Sequence, residues 1–185
     1  MNFFHYHYEN LLCEDLLLKQ NPGRCQELIC LSGLVLSHAS RNFRIQERTF
    51  LPPWIALELL SGQCPKQTRA KKAYANFKIL SRDLLGCQVS LKKIDLYSIL
   101  SKCYLLLLPR LRGFEGFYLK QVNEEGLTFG VTNLLAFPEL EENAAFFEKI
   151  QGMHLSIKMN TQGKEESLLL LSGFHIPVQS AYTVN

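Results

Sequence analysis

The 185-residue chain has no C-x-x-C pair, no glycine-rich phosphate loop and no long apolar run. Its longest leucine runs, 105–108 and 168–171, fall far short of the ~20 residues a membrane-spanning helix needs. G-x-x-x-x-G-K-[ST], G-x-G-x-x-G and G-x-S-x-G are all missing, so no nucleotide cradle or serine-nucleophile elbow is expected. The six cysteines include Cys25 and Cys30 with four residues between them, but no second pair and no histidine cluster nearby. No metal site is expected; cysteines in apolar neighbourhoods suit free thiols in a reducing compartment. His5, His7, His38, His154 and His175 have no metal-ligand spacing, and the acids gather at 139–148 and 165–166 as a solvated face. No enzyme activity and no cofactor are expected. The N-terminus lacks a basic start before an apolar core, and Glu9, Glu14 and Asp15 precede its first basic residue, Lys19. It resembles neither a secretory signal nor an Arg-rich transit peptide; the protein is made where it works, or a leader has already been removed.

What is present is unevenly distributed. The composition, 47% apolar and 20% charged, is that of a globular protein, and the length suits one domain over 1–185. Its parts are an N-terminal helix (1–25), a sheet-and-helix core (26–178) and a tail (179–185). Residues 61–93 hold Lys66, Arg69, Lys71, Lys72, Lys78, Arg82, Lys92 and Lys93 against one acid, Asp83. That segment carries +7 in a chain of net +3, leaving −4 for everything else. Tyr74 and Phe77 are interleaved with the cations. Clustered charge with aromatics points to a polyanion, RNA first; the alternative is a solvated basic hairpin.

Along the chain, 3–20 reads as a helix ended by Asn21-Pro22-Gly23, and 27–37 as a strand buried on both faces, with Gly33 at a bulge or close approach. Residues 38–48 read as a loop whose His38 is solvated or touches RNA. Pro52-Pro53 opens a helix closed by Ser61-Gly62. Residues 76–80 and 86–93 read as hairpin arms, 94–108 as a helix ended by Pro109, and 164–171 as a last helix. Residues 86–93, 127–132 and 154–159 alternate, with one face apolar and the other small, polar or basic. The fold class is therefore α+β: an antiparallel sheet with helices on one face and an open polar face. Gln88, Ser90, Lys92, Thr128, Thr132, Ser156 and Lys158 lie on that face, which meets RNA or simply water.

From Ser61 to Pro177 the residues resemble a known family. SGQCP at 61–65, T-[basic]-A-[basic]-K at 68–72, FKI at 77–79, GC-x-V-[ST]-L at 86–91 and LPRLRGFEGF at 108–117 occur in its order. FPEL at 137–140, GMHLSI at 152–157 and LLLLSGFHIP at 168–177 follow. The chain resembles the L-five family of large-subunit ribosomal proteins, which bind 5S rRNA, over about two thirds of its length. The resemblance implies an antiparallel sheet with helices on one face and a structural place in the central protuberance. Its implied partners are 5S rRNA, large-subunit rRNA, peptidyl-site tRNA, neighbouring large-subunit proteins and a small-subunit head protein. No membrane partner is implied.

Carried over by position, Gln63 matches the family's glutamine in its G-Q-x-P turn and Ser90 its strand hydroxyl. With the polar face, this makes Ser37, Gln63, Lys66, Arg69, Gln88, Ser90, Lys92 and Lys158 the expected rRNA-facing residues. The 70–82 loop, with Lys71, Lys72, Tyr74, Asn76, Phe77, Lys78 and Arg82, is expected to reach tRNA; Arg110, Arg112 and Glu115 are expected at an intersubunit bridge. Departures are Ser37-His38-Ala39 for N-M-G, Gln88 for a basic residue, Asn76 for glycine and Glu115 for arginine. The opening N-F-x-H-Y-x-x-E-N with LLLK resembles mitochondrial members, which implies a gene read inside the organelle; a plastid or bacterial version is the runner-up. The alternative function is a non-ribosomal α+β module that binds RNA or protein.

Overall fold

Apolar residues at helical spacing and strict alternation divide the chain into helices and strands. The computed structural model describes residues 2–24, 27–40, 43, 47–148, 150–161 and 163–179. The helices are α1 (Phe3–His7), α2 (Cys13–Gln20), α3 (Leu51–Ser61), α4 (Lys93–Lys102), α5 (Leu108–Arg110), α6 (Pro138–Glu141), α7 (Ala144–Phe147) and α8 (Lys164–Gly173). The strands are β1 (Cys30–Ala39), β2 (Lys66–Arg69), β3 (Leu84–Leu91), β4 (Phe117–Tyr118), β5 (Val122–Asn123), β6 (Gly126–Val131), β7 (Met153–Asn160) and β8 (Val178–Gln179). An antiparallel six-stranded sheet runs in the order β2-β3-β1-β7-β6-β5, and β4 pairs with β8 in parallel. The fold is α+β, as the alternating segments require.

The described residues fall into two compact units, one drawn from Met1–Leu34, Leu91–Phe129 and Ser156–Asn185, the other from Val35–Ser90 and Gly130–Leu155. In the first, Phe4 is the hub: its ring meets Tyr104 edge-on at 5.4 Å and Phe174 at 5.7 Å. The Ser101 hydroxyl donates to Asn2 Oδ1 at 2.6 Å, and the Tyr8 hydroxyl to the Ile29 carbonyl at 3.1 Å. Burial raises the pKa of that phenol. Leu127, Ile157 and Met159 are buried, whereas Thr128 and Lys158 are exposed. The Thr128 hydroxyl donates to Ser156 Oγ at 3.2 Å.

In the second unit, Leu36, Cys87, Val89, Met153 and Leu155 supply strand side chains to the core. Helix α3 buries Pro53, Ala56, Leu57 and Leu60. Phe43, Phe50 and Trp54 form an aromatic file, with ring centroids 5.3 and 5.2 Å apart. Burial pushes the Cys87 thiol up to about 12, so it stays a thiol at physiological pH.

The structure corrects several expectations. β1 runs to Ala39, not Ser37, and buries one face: Leu34, Leu36 and His38 are buried, Val35 and Ser37 half-buried. His38 is neither solvated nor free for RNA. It is 6% exposed, and its Nδ1 donates to the Gly152 carbonyl; a carbonyl can only accept, so Nδ1 carries the proton. Of the residues expected in the 38–48 loop, 41, 42 and 44–46 lie outside the described residues. The first hairpin arm is β2, not 76–80. Helix continues past Pro109 to Arg110, after a π turn over Cys103–Leu107. In a regular helix the proline ring would press on the carbonyl four residues back; the wider π turn covers that carbonyl's position. The tail begins with structure: Gln179 pairs with Tyr118, while 180–185 lie outside the described residues.

Candidate nucleic-acid interface

The basic segment folds as a hairpin in the second unit. β2 pairs antiparallel with β3, setting Lys66 opposite Gln88, Gln67 opposite Cys87 and Thr68 opposite Gly86. Side chains opposite one another share a face. Lys66, Gln88 and, two residues on, Ser90 therefore share one face, while Cys87, Val89 and Leu91 are buried on the other. Residues flanking the hairpin are fixed by local geometry. Gln63 is exposed in the turn after α3, where its N–H donates to Ser61 Oγ at 3.2 Å. β2 lies at the sheet edge and carries Lys66 and Arg69, the charge that discourages edge-to-edge pairing.

Gly86 is dictated by packing: a Cβ there would overlap the His38 carbonyl oxygen. Gly152, the acceptor for His38, has φ 110 and would set a Cβ 2.7 Å from the Val131 carbonyl oxygen. Gly86 and Gly152 are thus backbone requirements, and the side chain between their contacts, His38, is a core residue. Burial pulls the His38 imidazole below its ordinary value, the Gly152 hydrogen bond opposes that, and His154 adds to the lowering.

Between the strands, 70–83 projects as a tongue with its own hydrogen bonds. Ala70 N–H donates to the Asp83 carbonyl and Arg82 N–H to the Ala70 carbonyl, both at 2.9 Å, pinching its root. Tyr74 and Ile79 exchange backbone hydrogen bonds of 2.9 and 3.1 Å around the 3-10 turn Ala75–Phe77. The Leu80 N–H donates to Asp83 Oδ2 at 2.8 Å. Lys71, Lys72, Asn76 and Lys78 are exposed, and so are Tyr74 at 55% and Phe77 at 66%. Large aromatics held out among lysines add nothing to a core, and an exposed ring face is a surface on which a nucleic-acid base can stack. Within the tongue Lys78 (φ 54) and Arg82 (φ 71) hold positive φ, whereas Asn76 sits in the 3-10 turn.

The expected residues divide between the two units. Ser37, Gln63, Lys66, Arg69, Gln88 and Ser90 belong to the second unit, Lys92 and Lys158 to the first. Lys92 lies past the end of β3, in extended backbone at the start of α4. Arg82 is separated from the tongue's tip: it has φ 71 and lines a cleft with Arg69 and Arg48. Arg48 was not among the expected residues. The signal was the arginine content of 41–48, where Arg41 and Arg44 lie outside the described residues. In the first unit, Arg110, Arg112 and Glu115 are exposed around the turn 111–116, and the Glu115 carbonyl accepts from Gln179 Nε2 at 3.0 Å. Among the described residues no group of three or more His, Cys, Asp or Glu side chains is placed to hold a metal ion, and no helix is long and apolar enough to cross a membrane.

Residues 84–178 match the model for the C-terminus of the ribosomal L5 protein family. Over 179 residues the chain is 32% identical to the large ribosomal subunit protein uL5m of Reclinomonas americana, covering 96% of this chain and 98% of that one. It is 30% identical over 187 residues to the large ribosomal subunit protein uL5m of Prototheca wickerhamii, covering 92% and 81%.

Proposed function

The chain belongs to the ribosomal L5 family, whose members are structural, non-enzymatic constituents of the large ribosomal subunit with rRNA and ribosomal proteins as partners, and from that premise we propose a specific place and set of contacts for it. It works in the mitochondrial ribosome, where the naming of both relatives and the opening residues point. It sits in the central protuberance and holds 5S rRNA and large-subunit rRNA. The face bearing Gln63, Lys66, Gln88, Ser90 and Ser37 meets rRNA, with Lys92 and Lys158 as further contacts. Arg69 belongs to the same RNA-facing hairpin. The tongue carrying Lys71, Lys72, Tyr74, Asn76, Phe77 and Lys78, with Arg82 at its root, reaches the peptidyl-site tRNA. The turn with Arg110, Arg112 and Glu115 meets a protein of the small-subunit head.

The observation that carries this reading is the tongue: two exposed aromatics and three lysines on a hydrogen-bonded projection that no core requires. Salt-dependent binding tests it. If the chain neutralises roughly four to six phosphates, its affinity for 5S rRNA falls roughly 10²- to 10³-fold between 50 and 200 mM salt. Salt-insensitive binding, or 5S rRNA bound no better than an unrelated RNA of equal length, overturns it.

A further inference from the structure

At the root of the tongue, three arginines from three separate segments converge on one open cleft of about 590 Å³. Arg48 comes from the 3-10 turn Glu47–Phe50, Arg69 from the end of β2 and Arg82 from the end of the tongue. Asp83 also lines the cleft, so its formal charge is three cations less one carboxylate, +2. Phe43 and Phe50 close one wall; both are buried, and their rings meet edge-on.

Two features show that the fold, and not chance on a basic surface, sets this arrangement. Arg82 holds φ 71, a conformation that side chains other than glycine, asparagine and aspartate adopt rarely. It is held there by its N–H bond to the Ala70 carbonyl, and beside it the Ala70 N–H is taken by Asp83. That backbone places the Arg82 side chain at the root, away from the lysines of the tip. Arg69 is oriented as well: its Nη2 donates to Gln67 Oε1 at 2.9 Å. A planar guanidinium already braced on one edge keeps its remaining N–H groups for a planar or tetrahedral oxyanion.

We propose that this cleft is a phosphate-binding site for an RNA backbone, distinct in role from both the Lys66–Gln88–Ser90 face and the tongue's tip. Arg48, Arg69 and Arg82 grip one or two consecutive phosphates beside the Phe43–Phe50 wall. The site reads no sequence; it fixes the register of the hairpin on its RNA. The proposal rests on the reading of the chain as an RNA-binding ribosomal protein. The phosphates belong to rRNA or to tRNA, and the two sources separate experimentally.

The test uses the full chain and three probes: a 5S rRNA transcript, a deacylated tRNA and an arbitrary-sequence RNA duplex of about 16 base pairs. Arg48→Gln and Arg82→Gly remove one cation each; glycine accepts φ 71, so the second also relieves the backbone. Lys120→Gln, an exposed lysine in the other unit, is the control for charge loss alone. Each arginine variant is expected to lower the slope of log affinity against log salt by about 0.7–0.9, and the double variant by about twice that. The control leaves the slope unchanged, and all variants keep the wild-type melting curve. A change confined to 5S rRNA assigns the phosphates to rRNA, one confined to tRNA assigns them to tRNA, and a change with all three probes marks a sequence-blind site. Wild-type slopes in both arginine variants with every probe, or no binding of wild type to any probe, overturn the cleft. If instead wild type binds 5S rRNA no better than the arbitrary duplex while the arginine variants still lower the slope, the cleft stands and the 5S assignment fails.

Discussion

At the scale of single residues, His38 links the fold to pH. The folded state holds its imidazole below the ordinary value of 6.5, chiefly through burial. As pH falls through 6.5 the unfolded chain takes up a proton that the folded chain refuses, so the unfolded state binds more protons and stability drops. The loss begins near pH 6.5 and levels off below the folded-state value. Urea midpoints measured from pH 7.5 to 5 are expected to fall across that window, and His38→Gln to flatten that part of the curve; an unchanged curve in the variant would assign the slope elsewhere. The neighbouring Gly86 has a steric role. Gly86→Ala forces a methyl onto the His38 carbonyl, so it is expected to cost at least the ~1–3 kcal/mol usual for overpacking. A thermal melt within a degree of wild type would contradict this. Neither role is visible in a lone histidine or glycine letter. His38 follows the polar Ser37 and lies just before the polar run 40–42, so periodicity alone ends the strand before it.

Among elements, legibility followed burial. β3, β6 and β7 were readable because each buries every second side chain, and that alternation is written in apolar letters. β2 was not readable. It is an edge strand whose four residues, Lys66–Arg69, include none that is buried. The apolar letters at 77–80 drew the hairpin arm there instead, yet Phe77 and Leu80 are exposed on the tongue. Those letters do not serve the core, which is why the core-seeking rule failed. The tongue's function is accordingly separable from folding. Lys71→Glu, Lys72→Glu and Lys78→Glu together are expected to lower the salt slope for tRNA binding by about two to three while leaving the melting temperature unchanged. Loss of folding, or an unaltered slope, would contradict the assignment. The π turn before Pro109 is a similar case. A proline letter reads as a stop, but the chain widens its helix by one residue and continues.

For the whole molecule, charge is allocated rather than spread. The segment 61–93 holds +7 and the remainder −4, and the fold places that positive segment on one hairpin, its tongue and the start of α4. Most of the fold class and the family were legible from ordered motifs, because those motifs mark backbone necessities such as Gly86 and Gly152. The division of labour within the basic segment was not legible. It depends on which cations face the sheet, the tip or the root cleft, and backbone angles such as that of Arg82 decide this. The most direct test of the central claim is a cryo-EM map of the mitochondrial large subunit from the source organism. The expected result is this chain in the central protuberance, with Gln63 and Ser90 within hydrogen-bond reach of 5S rRNA and Tyr74 and Phe77 pointing toward the peptidyl site. A large subunit without the chain, or one in which residues 61–93 face only solvent or protein, would contradict it.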